Sequence, residues 1–164
     1  MRSDLGVRDL FALGGNPLRP VEFLVAAQYR LIAHAEPVEL ATRLAEVGRE
    51  VVLFDVRAAD EFAVSRIPEA IHLDPSIDGR EFHRRYGERI RNRDVIVYCS
   101  VGLRSSRVAE RLKSALSVAG PRSVANLRGG IFRWSNEGRP LVGPDGATRL
   151  VHPLNAFWSL FLLP

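Results

Sequence analysis

Two short runs of the chain are apolar throughout, Val51-Val52-Leu53-Phe54 and Val95-Ile96-Val97-Tyr98. Each stops at a residue with chemistry to offer, Asp55 and Cys99. Continuous rather than alternating hydrophobicity is how a strand covered on both faces of a parallel sheet reads. Val124 to Leu127 predicts a third strand, and Leu31 to Ala33 and Ile71-His72-Leu73 predict shorter ones. Helical spacing lies between them. Pro17 and Pro20 introduce a helix up to Tyr29 with Val21, Leu24, Val25 and Tyr29 on one face, since proline suits a first turn. Pro37 to Val47 predicts a helix with Val38, Leu40, Ala41 and Leu44 inward, and Gly79 to Arg91 a basic one. Ser105 to Ala119 predicts one long helix, with Val108, Leu112, Ala115 and Leu116 along one side and Gly120-Pro121 as its breaker. Ile131 to Asn136 predicts a short helix before Gly138 and Pro140, and residues 1–16 an irregular lead-in. Strands alternating with helices predict an α/β fold, a central parallel sheet flanked by helices on both faces.

The bulk numbers change this picture little. A chain of 164 residues, 46% hydrophobic and 26% charged, suits one soluble globular domain. The net charge of +4 comes almost wholly from arginine, Lys113 being the only lysine, and leaves a surface favourable to anions. No basic helix with interleaved aromatics and no zinc spacing accompanies it, so nucleic-acid binding is not expected. One cysteine allows no intramolecular disulfide, which fits a reducing, cytoplasmic compartment. Four scattered histidines (His34, His72, His83 and His152) and one cysteine make no metal-ligand spacing, and neither metal nor cofactor is expected. Phe157 to Leu163 is apolar but far short of the ~20 residues that span a bilayer.

The informative segment is Cys99-Ser100-Val101-Gly102-Leu103-Arg104-Ser105. A buried strand delivers the cysteine to the carboxyl edge of the sheet, where open α/β folds bind ligands. The turn that follows offers backbone N–H groups, the next helix offers its positive N-terminus, and Arg104 offers a full charge. Together these favour anionic sulfur. Gly102 lets the loop bend tightly. An inert buried cysteine closing a strand is the plain alternative, and the accompanying Gly102, Arg104 and Ser105 argue against it.

These residues resemble the rhodanese family, whose active-site loop reads C-x-x-G-x-R-S. Upstream, Asp55-Val56-Arg57, Glu61-Phe62 and Ile67-Pro68-Glu69-Ala70-Ile71 resemble the family's D-x-R…E-F…H-I-P-G-A-I segment. Downstream, Val124, Leu127, Gly129, Gly130 and Trp134 resemble its V-x-x-L-x-G-G-x-x-x-W. The likeness runs over residues 35–141, leaving an N-terminal extension with a helix (1–34) and an apolar tail (142–164). It departs where Ser65-Arg66 replaces glycine-histidine and Glu69 replaces a glycine. The resemblance implies a sulfurtransferase in which Cys99 takes sulfane sulfur from a small anionic donor such as thiosulfate and passes it, as a persulfide, to cyanide, a thiol or a protein. It implies catalytic roles for Cys99 and Arg104 and a binding loop of Ser100, Val101, Gly102, Leu103 and Ser105. Asp55, Arg57 and Glu61 read as a structural salt-bridge set beside the site.

The competing chemistry is that of related phosphatases and arsenate reductases, which place five residues between cysteine and arginine. Four stand between Cys99 and Arg104, giving a smaller loop, and no second cysteine is present to resolve an intermediate. A binding module without catalysis is the remaining alternative. Arg80, Arg84, Arg85, Arg89, Arg91 and Arg93 crowd one helix and its exit, as a solvated face or as a docking face for an acidic sulfur acceptor. The tail from Pro153 to Pro164 would pack on the domain, against the N-terminal helix, or form a homodimer contact.

Overall fold

A computed structural model describes residues 15–48 and 50–163; the lead-in expected at residues 1–14 lies outside them. Five strands make one wholly parallel sheet: β1 (Ala33–Ala35), β2 (Val51–Asp55), β3 (Ile71–His72), β4 (Asp94–Tyr98) and β5 (Ser123–Leu127). Their order is β1-β5-β4-β2-β3, with β4 central and paired to β2 from Val51↔Asp94 to Asp55↔Tyr98. The helices are α1 (Arg19–Gln28), α2 (Pro37–Ala45), α3 (Ala59–Val64), α4 (Gly79–Ile90), α5 (Leu103–Arg111), α6 (Lys113–Ala119), α7 (Gly130–Asn136) and α8 (Ala156–Ser159). A small hairpin, β6 (Leu141–Gly143) with β7 (Gly146–Thr148), follows α7.

Because side chains alternate along a strand, β4 feeds two cores. Val95, Val97 and Cys99 join Phe54, Phe82, Val108, Leu112 and Leu116 on one face. Ile96 and Tyr98 join Leu40, Leu127, Phe132 and Trp134 on the other. The apolar runs of β2 and β4 are therefore continuous because both faces are covered, as expected. Trp134 is almost wholly buried, and its indole N–H donates to the Pro140 carbonyl at 2.8 Å.

Local readings differ in four places. In α1 the buried face is Leu18, Glu22, Val25 and Tyr29, while Leu24 is exposed. Glu22 turns inward because it accepts from Asn16 at 2.9 Å and pairs with Arg133 at 3.3 Å. A carboxylate thus sets a helix phase that apolar residues alone misplace. Val38 is exposed because α2 starts at Pro37, with the Glu36 N–H donating to Glu39 at 2.8 Å, and turns Pro37 and Leu40 inward. The edge strand is Ala33–Ala35 rather than Leu31–Ala33, its register fixed by parallel pairing with Ala125 to Leu127. The expected long helix is two, parted at Leu112, where ψ is 3°. The bend carries α6 onto α4, where Gly79 leaves room for Ala115: a Cβ on Gly79 would stand 3.3 Å from that of Ala115.

Along α4 the arginines face solvent, Arg84 and Arg85 both paired with Glu81. In the tail, Trp158, Phe161 and Leu162 lie against the second core. Asn136 clamps them, donating to the Phe161 carbonyl and accepting the Leu163 N–H, each at 2.8 Å. Truncation after Leu154 should cost about 2–4 kcal/mol, from three half-buried apolar side chains at roughly 1 kcal/mol each. Thermal denaturation checks the loss. Sedimentation should give one mass per chain with and without the tail; a dimer that becomes a monomer on truncation would make the tail an interface instead.

Candidate active site

Four elements converge at the carboxyl end of β4. The strand ends at Tyr98, and the next residue, Cys99, is fully buried. The chain then turns through Gly102, whose φ of +100° suits glycine. A Cβ there would also press on Asn126, 3.0 Å from its Nδ2. The turn brings the Gly102 N–H to 3.2 Å from the Cys99 sulfur, and α5 starts at Leu103. The Ser106 hydroxyl donates to the Gly102 carbonyl at 2.8 Å, locking the turn to the helix.

The loop is held from outside by α7. The Ile131 N–H donates to the Cys99 carbonyl at 2.9 Å and the Phe132 N–H to the Ser100 carbonyl at 3.0 Å. Two orphan donors of a helix start thus satisfy two loop acceptors. The approach requires glycine, because a Cβ on Gly130 would stand 2.4 Å from the Cys99 oxygen and 2.5 Å from that of Ser100. Val101 and Leu103 pack into the second core. Within the expected binding loop these two side chains are anchors.

Arg104 is fixed by Glu61. Its Nη1 and Nη2 donate to the two carboxylate oxygens, each at 2.8 Å, and Nη2 also donates to the Ser100 hydroxyl at 2.9 Å. That hydroxyl donates to Glu61 at 3.1 Å. Bidentate pairing of this kind is strong and directional. Glu61 reaches the loop from α3, steadied by the Ala58 N–H at 3.0 Å. Burial works against its charged form, but the bonds from Arg104 and Ala58 outweigh it and hold the carboxyl below its usual 4.5. The same bonds to Glu61, opposed by burial and helped by Cys99, raise the Arg104 guanidinium further.

Asp55, Arg57 and Glu61 do not form one set. Asp55 and Arg57 make a fully buried pair at 2.7 Å, and Arg57 also donates to the Ser65 carbonyl at 2.6 Å. Burial opposes the Arg57 charge, and Asp55 more than restores it. Glu61 belongs with Arg104 instead. Beside the first pair the Tyr98 phenol is driven up by burial and by Asp55, and its oxygen accepts the Ile67 N–H at 3.2 Å. Ser65 and Arg66 stand where the family's motif has glycine-histidine: the Ser65 carbonyl accepts from Arg57, and Arg66 pairs with Val142 while its guanidinium lies over Phe62 at 5.0 Å. Glu69 adopts a φ of +67°, where the family's motif has glycine.

Sequence reading missed Asn126. It is fully buried and accepts the Ser105 hydroxyl at 2.6 Å, while Ser105 lies 3.4 Å from the Cys99 sulfur. A lone amide within the otherwise apolar Val124-Ala125-Asn126-Leu127 run was the signal, since buried polar groups are there to be bonded. Among the described residues no group of three or more His, Cys, Asp or Glu could hold a metal ion. No helix among them is long and apolar enough to cross a membrane.

Glu61→Gln should destabilise the fold by about 1–2 kcal/mol at neutral pH, a modest figure because Arg104, at 34% exposed, is partly screened by water. The folded-state pKa of Glu61 is depressed, so its contribution is complete above the ordinary carboxylate range and lost as pH falls through the lowered value. The gap in Tm between wild type and variant should therefore close on acidification. A gap that is constant with pH would mean the carboxylate charge contributes nothing.

Comparison with known proteins agrees with this geometry. Residues 36–137 match the model of the rhodanese-like domain. A sulfurtransferase of Allochromatium vinosum is 36% identical over 107 residues, 65% of this chain and 92% of that protein. The thiosulfate sulfurtransferase GlpE of Coxiella burnetii is 31% identical over 107 residues, covering 65% and 87% of the two chains. In three dimensions the chain is similar to a thiosulfate sulfurtransferase of Pseudomonas aeruginosa, with a TM-score of 0.58 and 27% identity, over 89% of this chain and 26% of that one. A Bacillus halodurans protein shares the fold with a TM-score of 0.54, 23% identity and coverage of 81% and 94%. Family and relatives support sulfur transfer as the general activity. With its cysteine loop, its double glycine under that loop and its parallel five-stranded sheet, the chain belongs to the rhodanese-like domain family.

Proposed function

We propose that this chain is a sulfurtransferase that carries sulfane sulfur from a donor such as thiosulfate to a thiophilic acceptor as a persulfide on Cys99. One observation carries the reading: the only thiol in the chain sits at the carboxyl edge of the sheet with the Gly102 amide at 3.2 Å and the locked Arg104 as a loop neighbour. The anionic Cys99 sulfur attacks the outer sulfur of thiosulfate. Its new S–S bond forms as the donor's S–S bond breaks, and sulfite leaves with the electron pair. Cyanide or a thiolate then attacks the terminal sulfur, the Cys99 S–S bond breaks, and the cysteine sulfur returns to its anionic form. The nucleophile is regenerated without a metal or an external redox agent.

The loop's part is electrostatic. The Gly102 N–H and the start of α5 face the charge that builds on sulfur, and such groups act at low reorganisation cost because they are already in place. Arg104 adds positive charge, and the bonds from Glu61 and Ser100 fix where that charge sits. Residues 35–141 would carry the reaction. Phosphate chemistry is disfavoured by a loop with four residues between Cys99 and Arg104.

After incubation with thiosulfate and desalting, intact mass should rise by one sulfur atom, and cyanide should remove it as thiocyanate. Cys99→Ser should show neither event, because a hydroxyl cannot hold exchangeable sulfane sulfur. A folded wild type that takes up no sulfur from any sulfane donor overturns the proposal, as does Cys99-dependent phosphate release without thiocyanate. Arg104→Ala should lose about 2–4 kcal/mol of transition-state stabilisation, as expected for removal of an anion-stabilising donor. Arg107→Ala, a change at an exposed position on α5, should lose little. Steady-state kcat/KM of the two variants checks this, and equal losses would reduce Arg104 to bulk charge.

A further inference from the structure

A hydrogen-bonded chain runs from Cys99 across the sheet to His34 on the edge strand β1. Ser105 Oγ is 3.4 Å from the Cys99 sulfur and 2.6 Å from Asn126 Oδ1, and Asn126 Nδ2 is 3.2 Å from His34 Nδ1. Asn126 is fully buried and Ser105 likewise, so neither trades partners with bulk water. His34 Nε2 is buried with no hydrogen-bond partner among the described residues. Burial first, then the charge of Arg128, lowers the His34 pKa, and Glu36 opposes them. Among the described residues Arg128, following β5, and Glu36, leading into α2, are the charged groups that shift the ring.

We propose that His34 and Asn126 are positioning residues that set the direction in which the Ser105 hydroxyl meets the Cys99 sulfur. A hydroxyl has one proton to give. With His34 neutral, Nδ1 accepts from the Asn126 amide, Asn126 Oδ1 takes the Ser105 proton, and the serine oxygen is left to accept from the thiol. With His34 protonated, Nδ1 becomes a donor and requires Asn126 Oδ1. The amide turns over, its Nδ2 donates to Ser105, and the serine proton is released toward sulfur. Every bond in the chain reverses, and no atom need move farther than an amide flip. Arg104 and Gly102 supply fixed positive character at the sulfur; this chain supplies a donor that is present or absent.

The consequence can be read without turnover, which matters because the assignment rests on Cys99 being the sulfur carrier. A donated O–H favours anionic sulfur but lowers its nucleophilic strength, and with a Brønsted slope near one half about half the logarithmic gain survives. A roughly tenfold gain in anion population thus leaves alkylation about threefold faster. The rate of Cys99 alkylation by iodoacetamide should be followed against pH on the intact chain, with sulfur uptake from thiosulfate measured in parallel. Wild type should show an approximately threefold shoulder below the ordinary imidazole range, near 6.5. His34→Gln, Asn126→Ala and Ser105→Ala should each lose it. Where Asn126→Ala does not fold, the other two decide. A wild type with no shoulder overturns the proposal. So does a shoulder that persists in His34→Gln, which would belong to another group such as His72. Persistence in Ser105→Ala would show His34 acting through space by its charge, and overturns the proposal equally. A shoulder that behaves as expected in a protein that takes up no sulfur would leave the wiring standing and remove the sulfurtransferase reading.

Discussion

The site depends on one close approach, that of the Cys99 and Ser100 carbonyls to the first amides of α7. Those two hydrogen bonds turn the start of the loop outward, toward α7, which leaves the Gly102 N–H free to close back onto sulfur at 3.2 Å. They also tie the end of β4 to the segment after β5, so that the loop is braced from two neighbouring strands. The approach tolerates no Cβ at Gly130, while Gly129, at a φ of +72°, lies against the side chains of Glu22 and Arg133. Gly130 is therefore a packing requirement of the cysteine loop about 30 residues earlier, and Gly129 supplies the left-handed turn that leads into it.

Two ion pairs flank this loop and differ in what they do. Asp55 and Arg57 are wholly shielded, and Arg57 ties β2 to Ser65, so this pair fixes the frame. Breaking one partner of such a pair is severe because it strands the other charge away from water. Glu61 and Arg104 lie at the rim, with Glu61 shielded and Arg104 partly open. Here the carboxylate gives up nearly all its acceptor capacity to Arg104, Ser100 and Ala58. Arg104 in turn keeps its orientation without being fully neutralised by water-screened contact. A guanidinium suits this task better than an ammonium, because its planar fork matches the carboxylate on one edge and Ser100 on the same nitrogen.

The sheet was legible because β2 and β4 announce double burial in four consecutive apolar residues each. The loop was legible because its cysteine, glycine, arginine and serine are adjacent in sequence. What stayed hidden shares one physical cause: it depended on partners distant in sequence. The phase of α1 is set by Glu22 meeting Arg133, 111 residues later. Glu61 was grouped with Asp55 and Arg57 by proximity in sequence, yet its partner is 43 residues on. The bend at Leu112 falls at a residue of good helix propensity, and only the seat of α6 on α4 accounts for it. Asn126 was in plain view as a polar residue in an apolar strand, but its partners lie on α5 and β1.

If Cys99 carries sulfur as proposed above, its burial bears on the lifetime of that sulfur. A persulfide is lost by attack of a second thiolate, by reduction, or by further oxidation. The first route has no internal agent, since no other cysteine exists in the chain. The others depend on access, which the surroundings of the sulfur restrict: the Gly102 amide, the Ser105 hydroxyl and the first core lie against it. The same enclosure strengthens each of those contacts, because a dipole aimed at charge acts more strongly where water is excluded. On the proposed reading, protection of a loaded sulfur and stabilisation of its charge would both follow from a single feature, a cysteine placed one residue past the end of a central strand and roofed by its own loop.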